Sequence, residues 1–141
     1  MSHKLRYSII LIIMLFSLVS SILLSFVPLS LLCTPLEGCN AVQNSSYAQT
    51  FGIHNSYFGI AIFALMSFVT FMHIMKPNKS RASFIKIGIF TGTLISLYFI
   101  FLQQFVIHAY CKYCLIIDIG MLVALIIMLI PQKKRNIDTK F

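Results

Sequence analysis

The sequence predicts an all-α membrane protein, a bundle of four transmembrane helices whose outer loop carries a short helix. Three observations predict this fold class. Of the 141 residues, 59% are hydrophobic and only 10% are charged, whereas soluble domains carry about 25% charged residues. Four apolar runs each approach the roughly 20 residues that cross a bilayer. Almost all lysines and arginines flank these runs on one side. This composition excludes a soluble or disordered protein. It also excludes a nucleic-acid-binding protein despite the net charge of +8, because no basic face of a soluble fold can be drawn.

The four predicted spans cover residues 8–32, 57–75, 84–107 and 111–130 of a single domain, residues 1–141. The first run contains no charge, and the third is interrupted only by Lys86, Gln103 and Gln104. The fourth contains Lys112 and Asp118. A cleaved signal peptide is disfavoured for the first run, because such peptides have an apolar region of about 7–15 residues and this run is longer.

The basic residues predict the orientation of the bundle. All but one of the eleven lysines and arginines precede the first span, lie in or beside the turn between the second and the third, or follow the fourth. The exception is Lys112. By the positive-inside rule, both termini are expected in the cytoplasm and the loop after the first span outside it. All four cysteines then lie at the outer boundary, where disulfides persist.

The outer loop is predicted to be irregular between Cys33 and Cys39, because Pro35 and Gly38 lie there. Farther along, Ser45 or Ser46 is expected to cap a short helix over residues 47–51, which Gly52 would end. Aromatic side chains give this segment an apolar side. The loop is therefore expected to lie on the membrane surface and to cover a cavity between the helix ends.

The cysteines form two pairs. Cys111 and Cys114 make a Cys-x-x-Cys motif in the first turn of the fourth span, where side chains at i and i+3 are close enough to bridge. The helix N-terminus and Lys112 favour a thiolate there. Cys33 and Cys39 lie on the loop, and the six steps between them span at most about 20 Å. One fixed and one mobile pair suit a thiol–disulfide relay.

Two other interpretations of the cysteines stay open at this point. A four-cysteine zinc site is disfavoured, since zinc sites prefer about two to four residues between paired ligands and Cys33 and Cys39 are farther apart. No metal site is predicted. Static structural disulfides are the second alternative, and they would make the protein a non-enzymatic membrane scaffold.

The whole pattern resembles the vitamin K epoxide reductase family, in its prokaryotic, disulfide-forming branch. The resemblance rests on the loop pair Cys33 and Cys39, the string SSYAQTFG at residues 45–52, and the later Cys-x-x-Cys. The order is specific, because the other four-span family of disulfide-forming proteins has its Cys-x-x-Cys first. The resemblance implies a bundle around a quinone of the ubiquinone, menaquinone or vitamin K type. It also implies a separate thioredoxin-like partner and a prokaryotic cell membrane.

The resemblance assigns roles to the cysteines. Cys114 corresponds to the cysteine that reduces the quinone, and Cys111 to its partner, which links internally to Cys39. Cys33 corresponds to the cysteine that faces the thioredoxin-like protein. Residues expected to contact the quinone are Ser45, Asn55, Phe58, Tyr113 and Asp118.

The sequence departs from the family's bacterial pattern in two places. Bacterial members usually have Gly-x-Pro before the second span, whereas residues 55–59 read NSYFG and resemble the animal enzymes. Asn55 is therefore expected to contact a quinone carbonyl, as the corresponding asparagine does there. Asp118 stands one turn after Cys114, where the animal enzymes have a tyrosine. As the only acid within a span it is a candidate proton donor, the alternative being a neutral acid hydrogen-bonded to Gln103, Gln104 or a backbone carbonyl.

The function predicted is a quinone-linked thiol–disulfide oxidoreductase that supports disulfide formation outside the cytoplasm. The alternative enzymatic function, supported by the NSYFG string, is reduction of vitamin K epoxide or quinone as the main activity. His54 and His108 are weaker candidates at the outer edge, and His3 and His73, toward the cytoplasmic side, suggest no chemistry.

Overall fold

The computed structural model describes residues 2–34 and 38–131. Its elements, in chain order, are α1 (His3–Phe26), α2 (Leu29–Leu32), α3 (Cys39–Gln43), a 3-10 turn (Ser46–Ala48), β1 (Gln49–Thr50), β2 (Ile53–His54), α4 (Asn55–Met75), α5 (Lys79–Phe101), a π-helix (Leu102–Ile107) and α6 (Lys112–Leu129).

Four of these helices are long and apolar enough to cross a membrane: α1, α4, α5 with its π-helical extension, and α6. The predicted four-helix membrane fold is confirmed. We call the end of the bundle that carries residues 33–54 the loop end. The opposite end, where α1 begins and α4 connects to α5, is the basic end.

The first helix starts earlier and ends earlier than predicted. Ser2 caps it, since its hydroxyl accepts a hydrogen bond from the Leu5 N–H at 3.3 Å, as N-terminal serines commonly do. The helix stops at Phe26 because the residue before a proline avoids the helical region, and Val27 is extended, with φ −97° and ψ 132°. The chain resumes as α2 after Pro28 and carries Cys33 away from the end of α1.

The third span ends in an unusual turn. Its last six residues, Leu102–Ile107, form a π-helix, and His108 follows in the left-handed conformation with φ 53°. Such π-helical segments are frequent at functional sites. Here only residues 108–110 separate the segment from Cys111, at the start of α6.

Small residues bring α1 and α4 together in the most extensive helix–helix contact of the fold. Ser17, Ser20 and Ser21 of α1 are buried, and a Cβ at Gly59 of α4 would lie 2.7 Å from the Ser21 hydroxyl. Close approach through small side chains is the usual way in which helices associate in lipid, where no hydrophobic driving force acts between them.

The short helix predicted over residues 47–51 is wrong in position and extent. A single 3-10 turn covers Ser46–Ala48, and β1 and β2 then pair antiparallel, with Thr50 opposite Ile53. Phe51 and Gly52 join them with φ values of 56° and 80°, and two successive positive φ values make the tight hairpin turn that glycine favours. Gly52 thus turns a hairpin instead of ending a helix. The loop does carry a helix elsewhere, since α3 begins at Cys39, directly after Gly38.

Some predictions fall outside the described residues. They are the irregular stretch at residues 35–37 and the basic residues after the fourth span, at 133–140.

Candidate active site

Cys33 and Cys39 form a disulfide at the loop end, with their Cα atoms 6.2 Å apart. Cys33 directly follows α2, and Cys39 is the first residue of α3. Both are buried, at 5% and 0% exposure. Gly38 permits this placement: a Cβ there would lie 2.6 Å from the Tyr110 nitrogen and 2.8 Å from the Ala109 Cβ. The absence of a side chain at Gly38 therefore lets the loop press against the segment that leads into Cys111.

Cys111 and Cys114 are free thiols and occupy the start of α6. Cys111 is the N-cap residue of that helix and Cys114 lies in its first turn. Cys33, Cys39, Val42 and Cys111 pack in one buried cluster, with Cys114 at its margin. The structure thus brings all four predicted cysteines together, with the loop pair oxidised and the helix pair reduced. The disulfide leaves two thiols, so a zinc site with four cysteine ligands cannot form in this state.

Local interactions lower the pKa of Cys111, which precedes the first residue of the fourth span, to about 7. The main cause is the hydrogen bond from the Cys114 thiol, which stabilises a thiolate at Cys111. Burial opposes this effect, while the N–H groups of Tyr113 and Cys114 at the helix start and the side chain of Gln43 add to it. An N-terminal helical turn commonly activates cysteines in this way.

Two glutamines that the sequence did not single out for this site hold the Cys-x-x-Cys motif. Gln43, at the end of α3, donates from Nε2 to the Cys114 sulfur at 3.2 Å. Gln103, in the π-helix and 2% exposed, accepts from the Cys111 N–H through Oε1 at 2.9 Å. The only sequence signal for Gln103 was a polar residue inside an apolar span. Gln43 stands four residues after Cys39, so one short helix connects the loop disulfide to the Cys114 sulfur.

A cavity of about 390 Å³ lies beside Cys114, lined by α1, α4, α5 and α6 and covered by the loop. Most of its wall is apolar, formed by side chains such as Met14, Leu24, Ile62, Phe63, Phe99 and Met121. Ligand pockets typically have about 300–1,000 Å³ and mostly apolar walls with a few polar groups. The prediction that the loop covers a cavity between the helix ends agrees with this geometry.

The polar groups of the cavity include three of the residues predicted to bind a quinone. Asp118 is 4% exposed and its Oδ2 has no hydrogen-bond partner in the described part of the chain. Asn55 lines the cavity, but it also holds the loop: its Oδ1 accepts from Thr50 Oγ1 at 2.7 Å and its Nδ2 donates to the Tyr47 carbonyl at 2.9 Å. Ser45 lines the cavity and donates to the Val42 carbonyl at 2.7 Å.

Of the remaining predicted residues, only one lies in the cavity wall. Phe58 lines the cavity, whereas the structure does not place Tyr113 in its wall. The Tyr113 hydroxyl donates instead to the Leu32 carbonyl at 3.5 Å. His54 and His108 likewise are not cavity residues in the described structure.

An apolar cavity with an unpartnered carboxyl oxygen and a thiol in its wall suits a quinone. The apolar wall would accommodate the ring and its isoprenoid tail. Asp118, Cys114 and the second N–H of Asn55 would provide polar contacts at the ring oxygens.

The family model of the vitamin K epoxide reductase family matches residues 8–129 of the chain. The chain belongs to this family. Comparisons with curated proteins and with solved structures gave no match. Membership makes the protein a membrane oxidoreductase of the disulfide-exchanging kind, and the disulfide between Cys33 and Cys39 agrees with it. Enzymes of the family use quinones as a general class and commonly work with thioredoxin-like partners.

Proposed function

We propose that the protein belongs to the prokaryotic branch of its family and oxidises a thioredoxin-like dithiol protein at the expense of a quinone. The observation that carries the proposal is the buried cluster of Cys33, Cys39 and Cys111, with Cys114 at the cavity wall. The Cys33–Cys39 disulfide lies next to the Cys111 thiol, and the Cys114 thiol follows at the cavity wall. This is the order in which electrons would pass.

The first step takes place at the loop. A thiolate of the partner attacks the Cys33 sulfur, the Cys33–Cys39 bond breaks, and Cys39 leaves as a thiolate. The second thiol of the partner then resolves the mixed disulfide, so the partner leaves oxidised and the loop pair holds two electrons. Because Cys33 is only 5% exposed, the loop must open for this attack.

The second step passes the electrons to α6. The Cys39 thiolate attacks Cys111 of an oxidised Cys111–Cys114 pair, forming a Cys39–Cys111 disulfide and releasing Cys114. Cys33 then attacks Cys39, and Cys111 leaves. A leaving thiol with a low pKa leaves faster, so the lowered pKa of Cys111 favours this step. Its product is an oxidised loop with a reduced helix pair, the arrangement seen in the structure.

The third step occurs at the cavity. A quinone bound there would supply an acceptor for two electrons and two protons. Cys111 and Cys114 release two electrons and two protons as they form their disulfide. Gln43 keeps the Cys114 sulfur in place through its hydrogen bond. The carboxyl group of Asp118, one turn farther along α6, can carry a proton. The apolar wall excludes water from these groups.

Asn55 and Ser45 are assigned to the loop side of the cavity. Their hydrogen bonds to Tyr47, Thr50 and Val42 keep the hairpin over the site. Phe58 is proposed to contact the quinone ring. Tyr113 is proposed to act at a distance, by tying the start of α6 to the end of α2 through its bond to Leu32. With the loop outside the cytoplasm and both termini inside, the reaction would supply disulfides to exported proteins.

Reduction of vitamin K epoxide is the second candidate, favoured by the position of Asn55 and Phe58 in the cavity wall. The same cysteine relay would deliver the electrons. Turnover of the epoxide in place of quinone, measured with the same protein, would select this candidate.

The test uses purified protein in detergent, a reduced thioredoxin-like protein and a quinone whose absorbance is followed. We expect quinone loss that requires Cys114, with Cys114→Ala inactive toward every dithiol. Cys33→Ala serves as the matched variant: it should lose activity with the protein partner and keep it with a small dithiol that reduces the Cys111–Cys114 pair directly. Folded protein that reduces no quinone with either donor would refute the proposal and favour a scaffold with static disulfides.

A further inference from the structure

A buried arginine lies in α1 at the basic end of the bundle. Arg6 is 7% exposed, and its Nε has no hydrogen-bond partner in the described part of the chain. Asp118 is the only acidic residue among the described residues, and it faces the cavity. No described carboxylate therefore neutralises the Arg6 guanidinium. A buried cation without an anion is strongly unfavourable, which points to an anion from outside the described chain.

A cluster of rings lies next to this arginine, whose charge acts on His3 and Tyr7. His3 precedes Arg6 by three residues, so both lie on one face of α1. The Tyr7 ring lies 4.7 Å from His3 and 4.4 Å from His73, centroid to centroid. His73 is 2% exposed. The cluster joins α1, which carries Arg6, His3 and Tyr7, to the last turn of α4, which carries His73.

The hydrogen bonds between the two histidines leave one ring donor of His3 unused, besides the Arg6 Nε. His73 Nδ1 accepts from the Asn78 N–H at 3.4 Å, so a neutral His73 carries its proton on Nε2. That nitrogen lies 3.4 Å from His3 Nε2, which is then the acceptor. A neutral His3 consequently carries its proton on Nδ1, which makes no hydrogen bond in the described structure. His3 and Arg6 thus offer N–H donors from the same face of the helix.

The charge around the cluster is positive. Arg81 acts electrostatically on His73 while donating to the Met72 and Lys76 carbonyls at 3.1 and 3.0 Å. The N-terminus of the 24-residue helix α1 adds partial positive charge. An anion with several acceptor oxygens would meet these groups together.

We propose that this end of α1 binds the phosphodiester headgroup of an anionic phospholipid. The Arg6 guanidinium and the His3 Nδ1–H donate to its phosphate oxygens. A lipid is favoured over free phosphate because the helix enters its apolar span at this point, which places the cluster at headgroup level. Exposed Leu5 and Ile12 on α1, at 53% and 63% exposure, offer a surface for the acyl chains. Basic pockets at the ends of membrane helices bind anionic lipids in this manner.

The test uses the full chain in a maltoside detergent, which contains no phosphate. Phosphatidylglycerol is titrated in, and binding is followed by native mass spectrometry and by the thermal unfolding midpoint. We expect Arg6→Gln to weaken the affinity at least about tenfold, the usual effect of losing a charge-assisted hydrogen bond. Lys4→Gln is the matched control, since it removes the same charge from an exposed side chain two residues away and should change the affinity less than about threefold.

Three results would overturn the proposal. One is equal weakening by Arg6→Gln and Lys4→Gln, which would indicate general attraction of charge. Another is equal stabilisation by diacylglycerol with the same acyl chains, or by inorganic phosphate at the same concentration, which would exclude recognition of a lipid phosphodiester. The third is unchanged affinity in Arg6→Gln. If that variant does not fold, Arg6→Lys replaces it, because lysine keeps the charge but lacks the planar fork.

Discussion

Replacing Gly38 with alanine should separate the loop disulfide from Cys111 without altering either pair chemically. Gly38 has a φ of −67°, a value that any residue adopts, so the effect of the substitution is purely steric. The new Cβ would lie 2.6 Å from the Tyr110 nitrogen and 2.9 Å from its oxygen. Both are backbone atoms that no rotamer change can move away.

The size of the effect follows from these distances. Ordinary van der Waals contact begins at 3.4 Å, so the segments around Gly38 and Tyr110 must part by about 0.8 Å. Overpacking of this kind costs about 1–3 kcal/mol. A displacement near 1 Å at a reacting centre lowers a rate by about 100-fold. We therefore expect the transfer from Cys39 to Cys111 to slow by about that factor, with a folded protein.

The assay compares two electron donors. A reduced thioredoxin-like protein feeds the loop pair, while a small dithiol reduces Cys111–Cys114 directly. Gly38→Ala should lose about 100-fold with the first donor and stay within about threefold with the second. Asn40→Ala, an exposed change on the same helix α3, serves as the control. Wild-type turnover of Gly38→Ala with the protein donor would show that the close packing of Gly38 is irrelevant to the relay.

Three further predictions concern the site. Gln43→Leu removes the hydrogen bond to the Cys114 sulfur and should slow quinone reduction with either donor by about 10–100-fold, as expected for a hydrogen bond to a charged group. Gln43→Asn should have the same effect, because the asparagine side chain is too short to reach the sulfur. Normal rates in both variants would show that this hydrogen bond has no role in quinone reduction. Because the pKa of Cys111 is lowered to about 7, its thiolate fraction should rise about tenfold between pH 6 and pH 8. The rate at which reduced Cys111 attacks the Cys33–Cys39 disulfide, which is the reverse of the second step, should rise with it; a flat profile would contradict this. Asp118→Asn removes the carboxyl at the cavity and should lower and flatten the pH–rate profile of quinone reduction, whereas a profile identical to that of the wild type would exclude a proton role.

The spans could be predicted from the sequence because hydropathy over 20 residues depends on local composition alone. Their ends could not be placed as well. The first helix stops at Phe26 because of Pro28 and starts at His3, beyond the apolar run, because Ser2 caps it. The loop was harder still. A glycine after a polar stretch ends helices and turns hairpins alike, and only the pairing of β1 with β2 distinguishes the two at Gly52.

The cysteines of the site could be predicted because their spacing carries the chemistry. Gln43 could not be, since its contact with Cys114 joins residues 71 positions apart and depends on how Gly38 packs against Tyr110. Tyr113 shows the converse. Its place beside Cys114 in the sequence suggested the cavity, but at the start of a helix neighbouring residues point in different directions, and its hydroxyl reaches Leu32.

The close pairing of α1 with α4 has a consequence for biogenesis. These are the first two of the four spans to leave the ribosome, and their serine and glycine contact needs neither α5 nor α6. Chains are made from the N-terminus at about 5–20 residues per second. Cys33 and Cys39 therefore become available to each other several seconds before Cys111 is synthesised. Order of synthesis therefore favours the pairing of Cys33 with Cys39 before Cys111 and Cys114 are present.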